Sequence, residues 1–164
     1  MSPAGSWTVL VDGYNVIKRH GPWRRLTPQD GRTRLLALVS GIGWPVPVLR
    51  AVIVFDGRVA DATAVHSTGA MEVRFASPSA DADLQHAIRT STHPGRLIVV
   101  TDDGDILRAA KSHGARCRSS QWLLTLGLSA SRHGEPAEGR RAALPAAEAR
   151  RITEELAKRW LGKE

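Results

Sequence analysis

Three short apolar runs, each rich in β-branched residues and each ending at an aspartate, constrain this chain more than any other feature. Trp7-Thr-Val-Leu-Val11 leads into Asp12-Gly13, and Ala51-Val-Ile-Val-Phe55 leads into Asp56-Gly57. Leu97-Ile-Val-Val100 leads into Thr101-Asp102-Asp103-Gly104-Asp105. Runs without polar alternation read as strands buried on both faces, as in a parallel sheet. Helical signals lie between them. Thr27 as N-cap and Pro28 at the first helical position open a helix that carries Leu35, Leu36, Leu38 and Val39 and stops near Gly41 or Gly43. Met71–Ala76 is a further strand, and Ser79 caps a helix over residues 80–90. Ile106, Leu107, Ala109 and Ala110 lie on a helix that Gly114 ends. Residues 115–118 form a short last strand, and Ser119 or Ser120 caps a helix over 121–126. This alternation predicts a doubly wound α/β sheet, which binds ligands outside the carboxyl ends of its strands. All three aspartate-bearing turns fall on that edge.

Residues 1–126 thus read as one domain. Residues 127–145, with Gly, Ser and Pro, read as a linker, and residues 146–164 as a C-terminal amphipathic helix. In that helix Ala149, Ile152, Leu156 and Trp160 recur at helical spacing, and Glu154–Lys158 and Glu155–Arg159 are favourable i,i+4 pairs. Such a stripe either packs on its own domain or meets a partner or a second copy.

Charge narrows the function. The chain carries a formal net charge of +7. Its first 131 residues hold 15 Lys plus Arg and 10 Asp plus Glu, and seven of those acids are Asp12, Asp56, Asp81, Asp83, Asp102, Asp103 and Asp105. Removing these seven leaves a basic shell around an acidic pocket. The shell attracts a polyanion, and the pocket needs cations before a phosphate can approach. Charge alone fits equally well a basic protein with no nucleic-acid role. Residues 35–49, the longest uncharged stretch, are too few to span a bilayer and are broken by glycines and prolines. No secretory leader is evident. With Cys117 as the single cysteine, no intrachain disulfide can form, and a reducing cytoplasm is the simplest location. The six histidines show no zinc-ligand spacing. Neither a phosphate-binding P-loop nor a dinucleotide fingerprint is present, and no Ser or Cys nucleophile motif is found.

One aspartate after a strand is often a turn residue or a helix cap. Several at one sheet edge repel one another unless some take up protons or share a hard cation, and Mg²⁺ or Mn²⁺ suits carboxylates, water and phosphate oxygens. The alternative is that these aspartates cap separate helices and never converge.

Val11-Asp12-Gly13-Tyr14-Asn15-Val16-Ile17 resembles the opening motif of the YacP-like NYN domains, members of the PIN-like superfamily of metal-dependent nucleases. Val54-Phe55-Asp56-Gly57, Ser79-Ala80-Asp81, Val99-Val100-Thr101-Asp102-Asp103-Gly104-Asp105-Ile106 and Gly114-Ala115-Arg116 follow in that family's order. The resemblance implies a PIN-like three-layer α/β/α sandwich with a central parallel sheet of four or five strands, and a Mg²⁺- or Mn²⁺-dependent ribonuclease site. It implies Asp12, Asp81, Asp103 and Asp105 as metal-site acids, and Asn15 as the residue that orients the site or the scissile phosphate. Asp56 stands behind them. Two departures stand out. The family often places Glu after the aspartate of the central helix start, where this chain has Ala82 and then Asp83. Asp102 occupies a place usually held by a small polar residue, and reads as an extra ligand or a helix cap.

For RNA, Lys18, Arg19, Arg24 and Arg25 flank Trp23, whose indole either stacks on an unpaired base or folds against the domain. Arg58, Arg108 and Lys111 are further candidates near the motifs. The leading expectation is an endoribonuclease that hydrolyses RNA with a metal-activated water. Its rivals are a non-catalytic RNA-binding domain, a phosphohydrolase of small phosphate esters, and a toxin-like RNase with a neutralising partner. Whether a ribosome or another RNA–protein assembly presents the substrate, and what the oligomeric state is, the residues leave open.

Overall fold

The computed structural model describes residues 5–57 and 70–133. Five strands form one parallel sheet: β1 (Trp7–Asp12), β2 (Val48–Asp56), β3 (Met71–Ala76), β4 (Leu97–Val100) and β5 (Arg116–Arg118). Their order across the sheet is β3-β2-β1-β4-β5. The first three strands step outward from β1 in one direction, and β4 and β5 step outward in the other. The order therefore reverses between β1 and β4, which is where doubly wound sheets open a ligand crevice.

Although the strand sequences are apolar throughout, successive side chains serve different layers. Val9, Val11, Ile53, Phe55, Ile98 and Val100 face a core shared with α1 (Gly13–Arg19), α2 (Pro28–Ser40) and α5 (Ser120–His133). Leu10, Val52, Val54, Leu97 and Val99 face a second core under α3 (Ala80–Arg89) and α4 (Gly104–Ser112). These are the three layers that the strand–helix alternation predicts.

The helix termini follow local chemistry. Thr27 accepts from the Asp30 amide and opens α2, and Ser79 accepts from the Ala82 amide and opens α3. Beyond α4, Gly114 takes the left-handed conformation at φ 81°, where a Cβ would be strained.

Two elements depart from the sequence reading. Residues 13–19, to which the sequence reading assigned no element, form α1. It is capped by Asp12 and stabilised by burial of Val16 and Ile17. Two turns containing Gly, Tyr and Asn carry almost no propensity signal, so the cap and the burial decide. Residues 21–25 are a 3₁₀ turn rather than open loop. The second departure is α5, which runs through Leu126 to His133 and carries the expected linker start inside a helix. Gly127 is no terminator there. A Cβ on it would lie 2.2 Å from Leu38 Cγ, so its bare backbone lets α5 close on α2. Beyond residue 133, the linker and the C-terminal helix lie outside the described residues.

Candidate active site

The crevice between β1 and β4 is built on Asp12, the last residue of β1 and the N-cap of α1. Its carboxylate is 7% exposed. One oxygen accepts from the Asn15 amide at 3.4 Å, and the other accepts from the Thr101 hydroxyl at 3.1 Å. Thr101 Oγ1 in turn accepts from the Asp103 amide at 3.1 Å. A fully buried threonine thus couples the aspartate after β1 to the one after β4. Thr101 was legible only as part of a motif, and its placement between the two acids is what the sequence alone does not reveal.

Asn15 binds the same crevice from the α1 side. Its Oδ1 accepts from the Asp102 amide at 3.1 Å and from Ser120 Oγ at 3.0 Å. Ser119 caps α5 by accepting from the Trp122 amide, so the buried Ser120 hydroxyl serves the site and not the cap.

The other acids converge to different degrees. Asp56 Oδ1 accepts from the Ala80 amide and so fixes the start of α3, on which Asp81 sits. Asp103 caps α4, its Oδ1 accepting from the Asp105 and Ile106 amides at 2.9 and 3.2 Å. Burial pushes the Asp12 carboxyl up from 3.8 to about 6, against its two hydrogen bonds, and the neighbouring charges of Asp81 and Asp56 add to the rise. Asp81 is also pushed up, by burial first and then by Asp103, Asp56 and Asp105. Asp12 thus feels Asp81 and Asp56, and Asp81 feels Asp103, Asp56 and Asp105, so Asp81 links the acid after β1 to the two after β4.

The remaining two are drawn elsewhere. Asp83 lies 3.9 Å from Arg74 of β3. Asp102 caps neither α4 nor the cleft. Its Oδ1 accepts from the Ser120 amide, and its Oδ2 pairs with Arg19 at 3.3 Å.

Several expected RNA contacts are also engaged. Arg19 pairs with Asp102, and Arg108 pairs with Asp105. The Arg108–Asp105 pair is exposed on both sides and is worth about 1 kcal/mol at most, whereas in the Arg19–Asp102 pair only the arginine is exposed. Lys111 lies in the last turn of α4, about 10 Å along the helix from Gly104, and does not line the crevice. Trp23 is half-buried against the first core, its ring 4.5 Å from that of His20, while Lys18, Arg24 and Arg25 are exposed beside it. Arg58 lies outside the described residues. Arg32 belongs to no motif legible in the sequence, yet it is a buried arginine on α2 whose Nη1 donates to the Tyr14 hydroxyl at 2.7 Å and whose guanidinium lies over Phe75.

The acids offer only hard oxygen donors, the chemistry that suits Mg²⁺ or Mn²⁺. Among the described residues, no three His, Cys, Asp or Glu side chains are gathered tightly enough to hold an ion. The exposed carboxylates of Asp81 and Asp105 would have to turn inward to close the set.

The model of the YacP-like NYN domain matches residues 9–160. The chain belongs to this family. Its members are generally RNase-like nucleases, which makes RNA the substrate class of the family. The fold is similar to crystal structures of Rae1 (YacP) from Bacillus subtilis. One matches with a TM-score of 0.60 and 24% identity, covering 94% of this chain and 87% of that one. A tryptophan-to-leucine mutant of the same protein matches with a TM-score of 0.59 and 21% identity, covering 94% of this chain and 90% of that one. Comparison with curated proteins gave no match. Among the described residues of this YacP-like chain, no helix is long and apolar enough to cross a membrane.

Proposed function

We propose that this protein is an endoribonuclease that hydrolyses RNA phosphodiester bonds with Mg²⁺ or Mn²⁺ bound by Asp12, Asp81 and Asp103, and by Asp105 when it leaves Arg108. The observation that carries this reading is the buried Asp12 carboxylate at the switch point of the sheet, raised first by burial and then by the charges of Asp81 and Asp56, and coupled through Thr101 to the Asp103 backbone. A buried carboxylate that resists ionisation among its own kind is a site prepared for a cation. When bound, such an ion lowers the pKa of water and offsets charge on the phosphate and the leaving oxygen.

The chain's own groups do the positioning. Thr101 holds Asp12 and the Asp103 backbone in register, and Asp56 anchors the start of α3, the turn that carries Asp81. Asn15 spends its oxygen on Asp102 and Ser120, which leaves its amide nitrogen to donate to a phosphate. Lys18, Arg24 and Arg25 would hold the flanking strand, with the exposed part of Trp23 as a stacking surface. Charge reversal at Arg24 and Arg25 together should weaken RNA binding at least about tenfold at low salt and reduce its salt dependence by about two phosphate contacts. Unchanged affinity and slope would place the contact elsewhere.

The test is cleavage of an end-labelled, mostly single-stranded RNA by wild type and Asp103→Asn, with Mn²⁺, Mg²⁺ or EDTA. Cutting should require metal, vanish in the variant, and leave 3′-hydroxyl and 5′-phosphate ends, because attack by water does not use the RNA 2′-hydroxyl. A 2′,3′-cyclic phosphate would overturn the mechanism. Equal RNA retention by both proteins with no cutting under either metal would favour a binding module, a reading that Ala82 and the Arg108–Asp105 pair support.

A further inference from the structure

A second cavity, of about 1040 Å³, opens at the opposite edge of the sheet. Its floor is Leu10, Val52 and Leu97, on the face covered by α3 and α4. Its walls are the start of β2 and the C-terminal end of α3 with the segment that follows. Thr8 at this end of β1 and Asp12 at the other are four residues apart, so the cavity lies about 13 Å along the sheet from the acids.

The chemistry of the two ends is opposite. Arg50, Arg74, Arg96, His86 and His93 line this cavity together with the hydroxyl-bearing Ser6, Thr8 and Ser91, and among the described residues no Asp or Glu lines it. Glu72 outside the lining bonds both Arg50, at 3.2 Å, and Arg74. Together with Asp83, 3.9 Å from Arg74, it offsets their charge, and it holds the two guanidinium groups on one carboxylate, each with further N–H donors to offer. Arg96 supplies the surplus charge. Gly5, at φ 110°, brings the chain against it, and a Cβ on Gly5 would stand 3.6 Å from Arg96 Nη1. The C-terminal end of α3 would repel an anion. Its His86 carbonyl, however, is already covered by the Thr90 amide and hydroxyl at 3.0 and 2.9 Å.

We propose that this cavity is a phosphate-binding site, separate from the carboxylate crevice, that takes the phosphate of a nucleotide or of an RNA strand. Fixed guanidinium forks, imidazoles and hydroxyls above an apolar floor match a phosphate carried on an organic body. The inference does not rest on the nuclease reading, because binding here needs no cleavage.

The test uses the full chain carrying Asp12→Asn, so that RNA stays intact. Imidazole NMR signals are followed during titration with inorganic phosphate, a 5′-nucleoside monophosphate, or a short single-stranded RNA. The signals of His86 and His93 should move and saturate, while that of His113, outside the cavity, stays still in the phosphate and mononucleotide titrations. Arg96→Glu should weaken the effect at least about tenfold, and Arg96→Lys should keep it within about threefold, because the lysine retains the charge but loses the fork. A mononucleotide that binds as tightly as RNA assigns the site to free nucleotide. Tighter binding of RNA, with a salt slope that falls in Arg96→Glu, assigns it to the strand. Stationary His86 and His93 signals with all three probes, or equal binding by Arg96→Glu, would overturn the proposal.

Discussion

Asp12→Asn is expected to reduce RNA cleavage by at least about 10³-fold, more than the usual loss from removing one transition-state donor, and to raise the stability of the metal-free protein. Both effects have the same origin. Burial, reinforced by Asp81 and Asp56, raises the Asp12 carboxyl from 3.8 to about 6 in the folded chain. In the unfolded chain it ionises near its ordinary value of about 3.9. Between these values the folded protein keeps a proton that the unfolded chain has released. The favourable contribution of this group is therefore complete below about pH 4 and is lost as pH rises through about 6. Two pKa units correspond to about 3 kcal/mol of penalty at pH 7.5.

Asparagine removes the charge and keeps the shape. Its oxygen can still accept from the Asn15 amide as an N-cap, a role in which Asn equals Asp. In EDTA at pH 7.5 the variant should unfold about 2–3 kcal/mol later than wild type in a denaturant titration, and the gap should close at pH 4. Mn²⁺ should raise the melting temperature of wild type and leave that of the variant almost unchanged, because only a state that binds the ion gains from it. A variant that still cuts would remove Asp12 from the chemistry. One that is less stable at pH 7.5 would show that the carboxylate is not strained.

The parts of this molecule that could be read from its sequence are those in which the residue type alone decides the structure. Val9, Val52 and Val99 belong to apolar runs whose length admits little but buried strands. Asp12, Asp56 and Asp103 stand where such runs must stop. Ser79 and Thr27 mark helix starts because their hydroxyls do what the sequence position requires. The illegible parts depend on partners distant in the chain. Arg19 looks like a free cation until Asp102 is beside it. Nothing in the sequence sets Arg74 opposite Asp83. Ser120 cannot be told from Ser119 as a cap until Asn15, more than a hundred residues earlier, is found to accept its hydroxyl hydrogen. α1 is hidden for the same reason: its stability comes from burial of Val16 and Ile17, not from propensity.

Gly13 is the sharpest case, because in the sequence it is one more glycine after an aspartate. It needs no left-handed conformation, since it opens α1 as an ordinary helical residue. What it needs is space. A Cβ there would lie 2.3 Å from Phe55 Cε1 and 2.5 Å from Cδ1. Phe55 is fully buried, with its ring 5.1 Å from that of Tyr14 and 5.8 Å from that of Phe75, so it has nowhere to retreat. Two effects compete in Gly13→Ala. Helix propensity favours alanine by about 1 kcal/mol, whereas over-packing a closed core costs about 1–3 kcal/mol and more when the neighbours are rigid. Contact this short lets the second effect win, with a net loss of about 1–2 kcal/mol in a denaturant titration. Gly104→Ala supplies the control. That glycine also opens a helix, but nothing lies within 4 Å of its would-be Cβ, so the substitution should be neutral or slightly stabilising. Phe55→Leu combined with Gly13→Ala should recover part of the loss, because the smaller side chain vacates the contested volume, and the double-mutant cycle would assign the coupling to this pair. Displacing Phe55 should also reduce cleavage, since it moves Asp56 next to it and Asp12 next to Gly13. If Gly13→Ala proved as stable as Gly104→Ala, the glycine would be there for the approach of the substrate and not for the ring.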